Sequence, residues 1–219
     1  MSYTGDVSPG GPSDTRELDG LAIRKCSVGT MDNNAYLLTS TATGDQILID
    51  AADDAPRLQT LLGEGTGQVG AIVTTHQHWD HHRALSELVE ATGAPTYAGT
   101  PDADALPVTV DHRLTHGDRI SVGDIDLDVI RLTGHTPGSI ALAWTEPGGR
   151  VHLFTGDSLF PGGPGKTDSP ADFTQLMDDL QARVFDVYGD DTWVYPGHGA
   201  DTTLGAERPQ LAEWRARGW

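Results

Sequence analysis

The chain has 219 residues, a net charge of −18 and 37% hydrophobic content, enough for one domain with a sandwich-sized core. Its 14 basic residues face 32 acidic ones, so it lacks the basic surface with which a nucleic-acid binder releases counterions, and that class of partner is excluded. No run approaches the roughly 20 apolar residues of a membrane span, and a single cysteine, Cys26, excludes an internal disulfide framework and suits a reducing cytoplasm.

Residues 1–18 are rich in Gly, Pro, Ser and Asp, with neither a basic n-region nor an apolar h-region. They are predicted to be a disordered tail and not a secretory signal, leaving 19–219 as the folded domain. Strands are predicted at 22–28, 35–39 and 46–50, the last two joined by Thr43-Gly44-Asp45. A helix at 55–62 precedes a Gly-rich turn. The apolar run Ala71-Ile72-Val73-Thr74 then enters Thr75-His76-Gln77-His78-Trp79-Asp80-His81-His82. Beyond it, Ala84, Leu85, Leu88 and Val89 fall at helical spacing and predict a helix over 82–91, ending near Gly93. A β-rich stretch covers 96–98 and 113–144. Ser169-Pro170 reads as an N-cap and first turn, followed by a core-facing stripe of Phe173, Leu176, Met177 and Leu180. A final helix is predicted over 206–217.

The histidine-rich run carries the chemistry. A core cannot absorb several imidazoles and a carboxylate without partners, because each unpaired buried charge costs several kcal/mol. Imidazole nitrogen and carboxylate oxygen are the donors that borderline divalent cations prefer, zinc above all. Three further loops each follow an apolar run and bring one such donor: Gly134-His135-Thr136-Pro137-Gly138-Ser139, Thr155-Gly156-Asp157-Ser158-Leu159-Phe160 and Pro196-Gly197-His198-Gly199. Glycine beside each donor permits tight turns and close approach of backbone. The other histidines are assigned elsewhere: His82 to a helix start beside the cluster, His112 and His116 to solvent, and His152 to the sheet face opposite Val151 and Leu153. Cys26 reads as a small buried hydrophobe.

The series HxHxDH, GHTPGS, GDSLF and PGHG resembles the metallo-β-lactamase superfamily, and most of all its glyoxalase II branch, over residues 28 to 198. The resemblance implies an α+β fold, a four-layer αββα sandwich, with a two-metal site along one sheet edge. It implies that His76, His78 and His135 bind a first metal, that Asp80, His81 and His198 bind a second, and that Asp157 bridges both together with a water or hydroxide. The cofactors would be two divalent ions, zinc first, with iron or manganese as alternatives. Attack of that hydroxide on a small acyl thioester or ester would be the reaction, with Asp80 orienting it or shuttling its proton. Lys166, one of 2 lysines against 12 arginines, lies nine residues after Asp157, where the branch places a lysine that meets the substrate carboxylate. Two features depart from glyoxalase II proper. Thr167-Asp168 replaces a nearby aromatic residue, and only about twenty residues follow His198, too few for the helical extension whose basic residues hold glutathione. The partner expected is therefore a small molecule, a low-molecular-weight thiol conjugate of open identity. The alternative activity is a persulfide dioxygenase with one iron held by His76, His135 and Asp157.

Overall fold

Side-chain alternation decides the layers. Leu37 and Leu38 are adjacent and both fully buried, yet they belong to different cores, as do Leu48 and Ile49. A strand buried on both faces must be covered on both sides. In a computed structural model that describes residues 3–218, two sheets are stacked face to face with helices outside each.

The first sheet contains β1 (Asp14–Glu17), β2 (Leu21–Val28), β3 (Asn33–Ser40), β4 (Gln46–Ile49), β5 (Val69–Thr74), β6 (Thr96–Gly99) and β7 (His112–Leu114), neighbours in space as in sequence. Its first four strands are antiparallel and the last four parallel. The chain then forms β8 (Arg119–Val122), β9 (Ile125–Arg131), β10 (Ile140–Thr145), β11 (Val151–Gly156), a small ribbon of β12 (Leu159–Phe160) and β13 (Gly163–Pro164), β14 (Trp193–Pro196) and β15 (Thr202–Thr203). The second sheet runs β15-β14-β11-β10-β9-β8. Between the sheets lie Ile23, Leu38, Ile49 and Val73 against Val129, Leu142, Phe154 and Tyr195. Helices α1 (Ala55–Glu64) and α2 (Leu85–Thr92) cover the first sheet through Leu58, Leu61, Leu85 and Leu88. Helices α3 (Pro170–Leu180), α4 (Leu204–Glu207) and α5 (Leu211–Arg217) cover the second through Leu176, Met177, Leu204 and Trp214. The order α-β-β-α is the expected sandwich. Among the described residues no helix is long and apolar enough to cross a membrane.

The expected caps and punctuation are present. Ser169 Oγ accepts from the Asp172 N–H at 3.2 Å with Pro170 in the first turn of α3. Cys26 is fully buried, and burial pushes its thiol up to about 12. Two boundaries differ from expectation. The helix predicted over 82–91 begins at Leu85, because the chain first makes a 3-10 turn, Trp79–His81, that points donors inward. The final helix is interrupted: α4 and α5 are separated by a 3-10 turn at Arg208–Gln210, since Pro209 has no N–H to continue the ladder.

The largest correction concerns the N-terminus. Met1 and Ser2 lie outside the described residues, but residues 3–18, expected to be a disordered tail, are packed. β1 pairs with β2, and the Tyr3 ring lies 6.3 Å from Trp193. A charged anchor accounts for it. Lys25 is fully buried, with Nζ donating to Gly5 O (2.9 Å), Gly199 O (2.7 Å) and Asp201 Oδ1 (2.7 Å). The ammonium has all three donors used, so low composition-level hydrophobicity is offset by one saturated ion pair. Lys25→Ala is expected to cost about 3–5 kcal/mol of stability, since it leaves Asp201 buried without its counter-charge. Urea denaturation would show it as a lowered midpoint; a loss below about 1 kcal/mol would mean the anchor is incidental.

Candidate metal centre

Four loops at one edge of the sandwich bring seven side chains together, and each loop leaves the end of a strand. The β5 end delivers His76, His78, Asp80 and His81; the turn between β9 and β10 delivers His135; β11 ends one residue before Asp157, and β14 two residues before His198. All seven residues named from sequence converge. His76, His78 and His135 form one trio of potential ligand atoms, and Asp80, His81 and His198 another. Asp157 stands between them, its Oδ2 lying 3.6 Å from His135 Nε2 and 3.4 Å from His198 Nε2. Oδ1 of the same carboxylate is 3.3 Å from His81 Nε2.

Glycine makes the crowding sterically feasible at two positions. A Cβ at Gly197 would fall 2.2 Å from Asp157 Oδ1, and Gly156 adopts φ +49 where a Cβ would strike Thr75.

The donor set fits cations better than it fits itself. His78 Nδ1 and His135 Nε2 are 2.9 Å apart, and His81 Nε2 and His198 Nε2 are 3.2 Å apart. Each such contact is a hydrogen bond only if one ring gives up a ligating lone pair to a proton, whereas ligands sharing a tetrahedral zinc sit roughly 3.3 Å apart at Zn–N lengths of about 2.0–2.1 Å. His76 Nε2 is buried without a hydrogen-bond partner, an expensive state for a polar atom unless something ligates it.

The opposite nitrogen of four of these rings is held by oxygen. His135 Nδ1 donates to Lys166 O at 2.6 Å and His198 Nδ1 donates to Met31 O at 2.9 Å. His81 Nδ1 donates to Asp50 Oδ2 at 2.9 Å. Thr75 Oγ1 gives its own proton to Asp50 (2.8 Å), so its oxygen accepts from His76 Nδ1 at 3.0 Å. In each case oxygen holds Nδ1 and Nε2 faces inward, the arrangement that fixes the tautomer of a histidine once it ligates.

Three supporting residues escaped the sequence reading. Asp50, at the end of β4 with φ 59, also accepts the Thr75 backbone N–H at 2.8 Å. Asp102 is fully buried and accepts from Gln77 N (2.9 Å), Thr136 Oγ1 (2.6 Å) and Gly138 N (2.6 Å), which stitches the histidine run to the His135 loop. Asn33 Nδ2 donates to Asp80 Oδ2 at 2.9 Å. Asp50 had a weak signal in an acidic residue closing an apolar strand. Asp102 and Asn33 had none, since their partners are distant in sequence.

Electrostatics separates the groups. Burial raises Asp157, but hydrogen bonds from His198 and His81 outweigh it and hold the carboxylate well below its usual range. Burial also opposes charge on His81, yet Asp50 and Asp157 lift it to about 10. Burial, reinforced by neighbouring imidazoles, pushes His76 well down. The metal-free centre therefore holds a proton on His81 below about pH 10, and a cation must displace it. Metal binding is expected to release about one proton or more and to tighten from about pH 6 to pH 9. Calorimetry in buffers of different ionisation enthalpy measures this; binding with no proton release would contradict it.

The remaining histidines stand apart from the centre. His82 Nε2 faces Gln77 O at 3.0 Å, His112 stacks on Tyr97 with centroids 4.3 Å apart, and His116 is exposed. His152 is buried between Tyr195 Oη (2.9 Å) and Glu146 Oε1 (2.7 Å). Lys166 contributes its carbonyl to His135 while its side chain is exposed beside the centre.

This strand-end centre, on an αββα sandwich, defines the class. The chain belongs to the metallo-β-lactamase superfamily, whose sequence model matches residues 28–204. Within it the chain falls in the glyoxalase II-like branch. It is 40% identical over 135 residues to a hydroxyacylglutathione hydrolase from Jannaschia sp. (strain CCS1), covering 62% of this chain and 51% of that protein. The chain thus spans about half the length of that hydrolase, as it does of the similar one from Cereibacter sphaeroides (strain ATCC 17025 / ATH 2.4.3). Among solved structures it is similar to ETHE1 from Myxococcus xanthus, with TM-score 0.75 and 29% identity over 87% of this chain and 84% of that one. It is also similar to TTHA1623 in a di-iron-bound form, with TM-score 0.69 and 34% identity over 83% and 95% of the two chains.

Proposed function

We propose that this protein is a metal-dependent hydrolase of the glyoxalase II type, opening a small acyl thioester or ester. The observation that carries the reading is the pair of ligand trios sharing Asp157, a donor set for two ions and not one. His76, His78, His135 and Asp157 would hold the first ion, and Asp80, His81, His198 and Asp157 the second, zinc being the ion that best suits nitrogen-rich tetrahedral sites. Two such cations supply a water of lowered pKa and a Lewis acid for a carbonyl.

The chain's own residues do the positioning. Burial raises Asp80, but the Asn33 amide and then His81 more than offset it, so the carboxylate stays ionised. The Asn33 amide engages Asp80 Oδ2 and orients the carboxylate at the cavity, where it is the group able to accept a proton from an attacking water. Lys166, beside His135, is assigned to the carboxylate end of the substrate. The deep acidity of the chain and its unpaired, buried Cys26 support a small-molecule substrate and a reducing cytoplasm.

A second reading, a one-iron persulfide dioxygenase, is supported by the compact grouping of His76, His135 and Asp157. One experiment separates the two. Protein purified under metal control is expected to hold two divalent ions per chain and to hydrolyse thioesters from a panel of thioesters, esters, a lactone and a cephalosporin, without oxygen uptake. One iron per chain with oxygen consumption would replace the hydrolase reading.

A further inference from the structure

His198 is held differently from the other candidate ligands. His76, His78, Asp80 and His81 leave one short run, part of it fixed by the 3-10 turn Trp79–His81, whereas His198 stands between two glycines. Gly199 adopts φ +67, and a Cβ at Gly197 would meet the Asp157 carboxylate, so neither flank can be exchanged for a stiffer residue. Glycine backbone restricts itself least, so the place of the His198 ring has to be set from outside its own loop.

The grip comes from the first sheet. Pro196 O accepts from Tyr36 Oη at 2.6 Å and from Asn34 Nδ2 at 2.9 Å. Gly197 O accepts from the Asn34 backbone N–H at 2.7 Å. Gly199 O accepts from Asn34 Nδ2 at 3.0 Å and from Lys25 Nζ at 2.7 Å. Asn34 thus holds carbonyls on both sides of His198, with both protons of its amide in use. That hold fixes the orientation of the amide and leaves Asn34 Oδ1 buried without a hydrogen-bond partner among the described residues. An unpaired buried oxygen lowers stability, and an apolar residue of similar size would avoid it, so stability alone does not account for Asn34. Tyr36 is buried as well, its ring packed edge-on against Phe154 and Tyr195 with centroids 5.3 Å and 5.6 Å away. Neither residue belongs to a ligand trio.

We propose that Asn34 and Tyr36 are positioning residues for His198, and that they set the cation affinity of the Asp80, His81 and His198 half of the centre separately from the other half. Two neighbouring asparagines of β3 then serve one ion: Asn33 orients Asp80, and Asn34 holds the loop that carries His198. The ligand is taken from the two-ion reading above, while the grip is independent of the reaction catalysed.

Zinc affinities from chelator competition separate the halves. Asn34→Ala is expected to raise the Kd of one ion about tenfold and to change that of the other less than about twofold. In a His198→Ala background the same substitution should change neither Kd by more than about twofold, because the side chain it positions is gone. Leu58→Ala, in α1 against the outer face of the first sheet, should lower the melting temperature and leave both Kd values within about twofold. Equal weakening of both ions, no weakening, the full loss in the His198→Ala background, or the same selective loss in Leu58→Ala would overturn the positioning role. Should Asn34→Ala not fold, Tyr36→Phe keeps the packed ring and removes one donor. A Kd raised about threefold for one ion then supports the role, and unchanged values overturn it. If the parent protein holds a single ion, the two-ion reading fails, and the metal-free protein still decides the grip. The His198 Nδ1–H, bonded to Met31 O, is expected to exchange with water about tenfold faster in Asn34→Ala, with the His76 Nδ1–H unchanged. Unchanged exchange at His198, or equal acceleration at both rings, overturns it.

Discussion

Asp157→Ala is expected to empty both halves of the centre together and to lower hydrolytic activity by at least about 10²-fold. The estimate is a floor, because removing even an outer partner of a ligand commonly costs 10–100-fold in affinity or activity. Asp157 lies within reach of both trios, its Oδ2 lying between His135 and His198. Its removal takes a negative charge from a place where imidazole nitrogens already crowd, and it leaves no group able to bridge. Asp157→Asn keeps the shape and removes the charge, so it should retain the fold while binding weakly. Metal content per chain after dialysis, measured beside thermal stability, checks this. Full occupancy by two ions in Asp157→Ala would end the bridging assignment.

Asp50→Ala is expected to weaken metal binding and activity by about 10–100-fold although Asp50 belongs to neither ligand trio. Its carboxylate holds the Nδ1–H of His81 and, through the Thr75 hydroxyl, sets the tautomer of His76, so one residue orients a ligand in each trio. The substitution also leaves the buried Thr75 N–H without its acceptor, a cost of about 1–3 kcal/mol. Asp50 further adopts φ 59, a left-handed backbone that aspartate and asparagine tolerate better than alanine. Asp50→Asn, which keeps one acceptor and the backbone preference, should therefore lie between the parent and Asp50→Ala in both affinity and melting temperature. Competition with a chelator gives the affinity. An unchanged affinity in Asp50→Ala would show that the His81 orientation is set by the loop itself.

The sequence by itself determined the donor types of the site and many of the local elements. Donor identity is a property of side-chain type, and a histidine-rich run with three glycine-flanked donors, all after apolar runs, is readable without coordinates. Strand and helix assignments follow from local periodicities, which is why α3 with its Ser169 cap was expected and found, whereas the αββα order was implied by the family resemblance and is met by the two stacked sheets. Long-range pairing is another matter. The N-terminal segment looked too polar to fold, yet the buried Lys25–Asp201 pair, 176 residues apart, anchors it. Asp50 and Asp102 act on partners 25 to 36 residues away. Phe173 follows the core stripe of α3 in sequence yet also forms a cavity wall, and Arg217 reaches the same cavity from the last turn of α5. Composition and spacing report what a residue is; only the folded chain decides which charge, carbonyl or ring it meets. The energies of buried polar groups depend on that meeting.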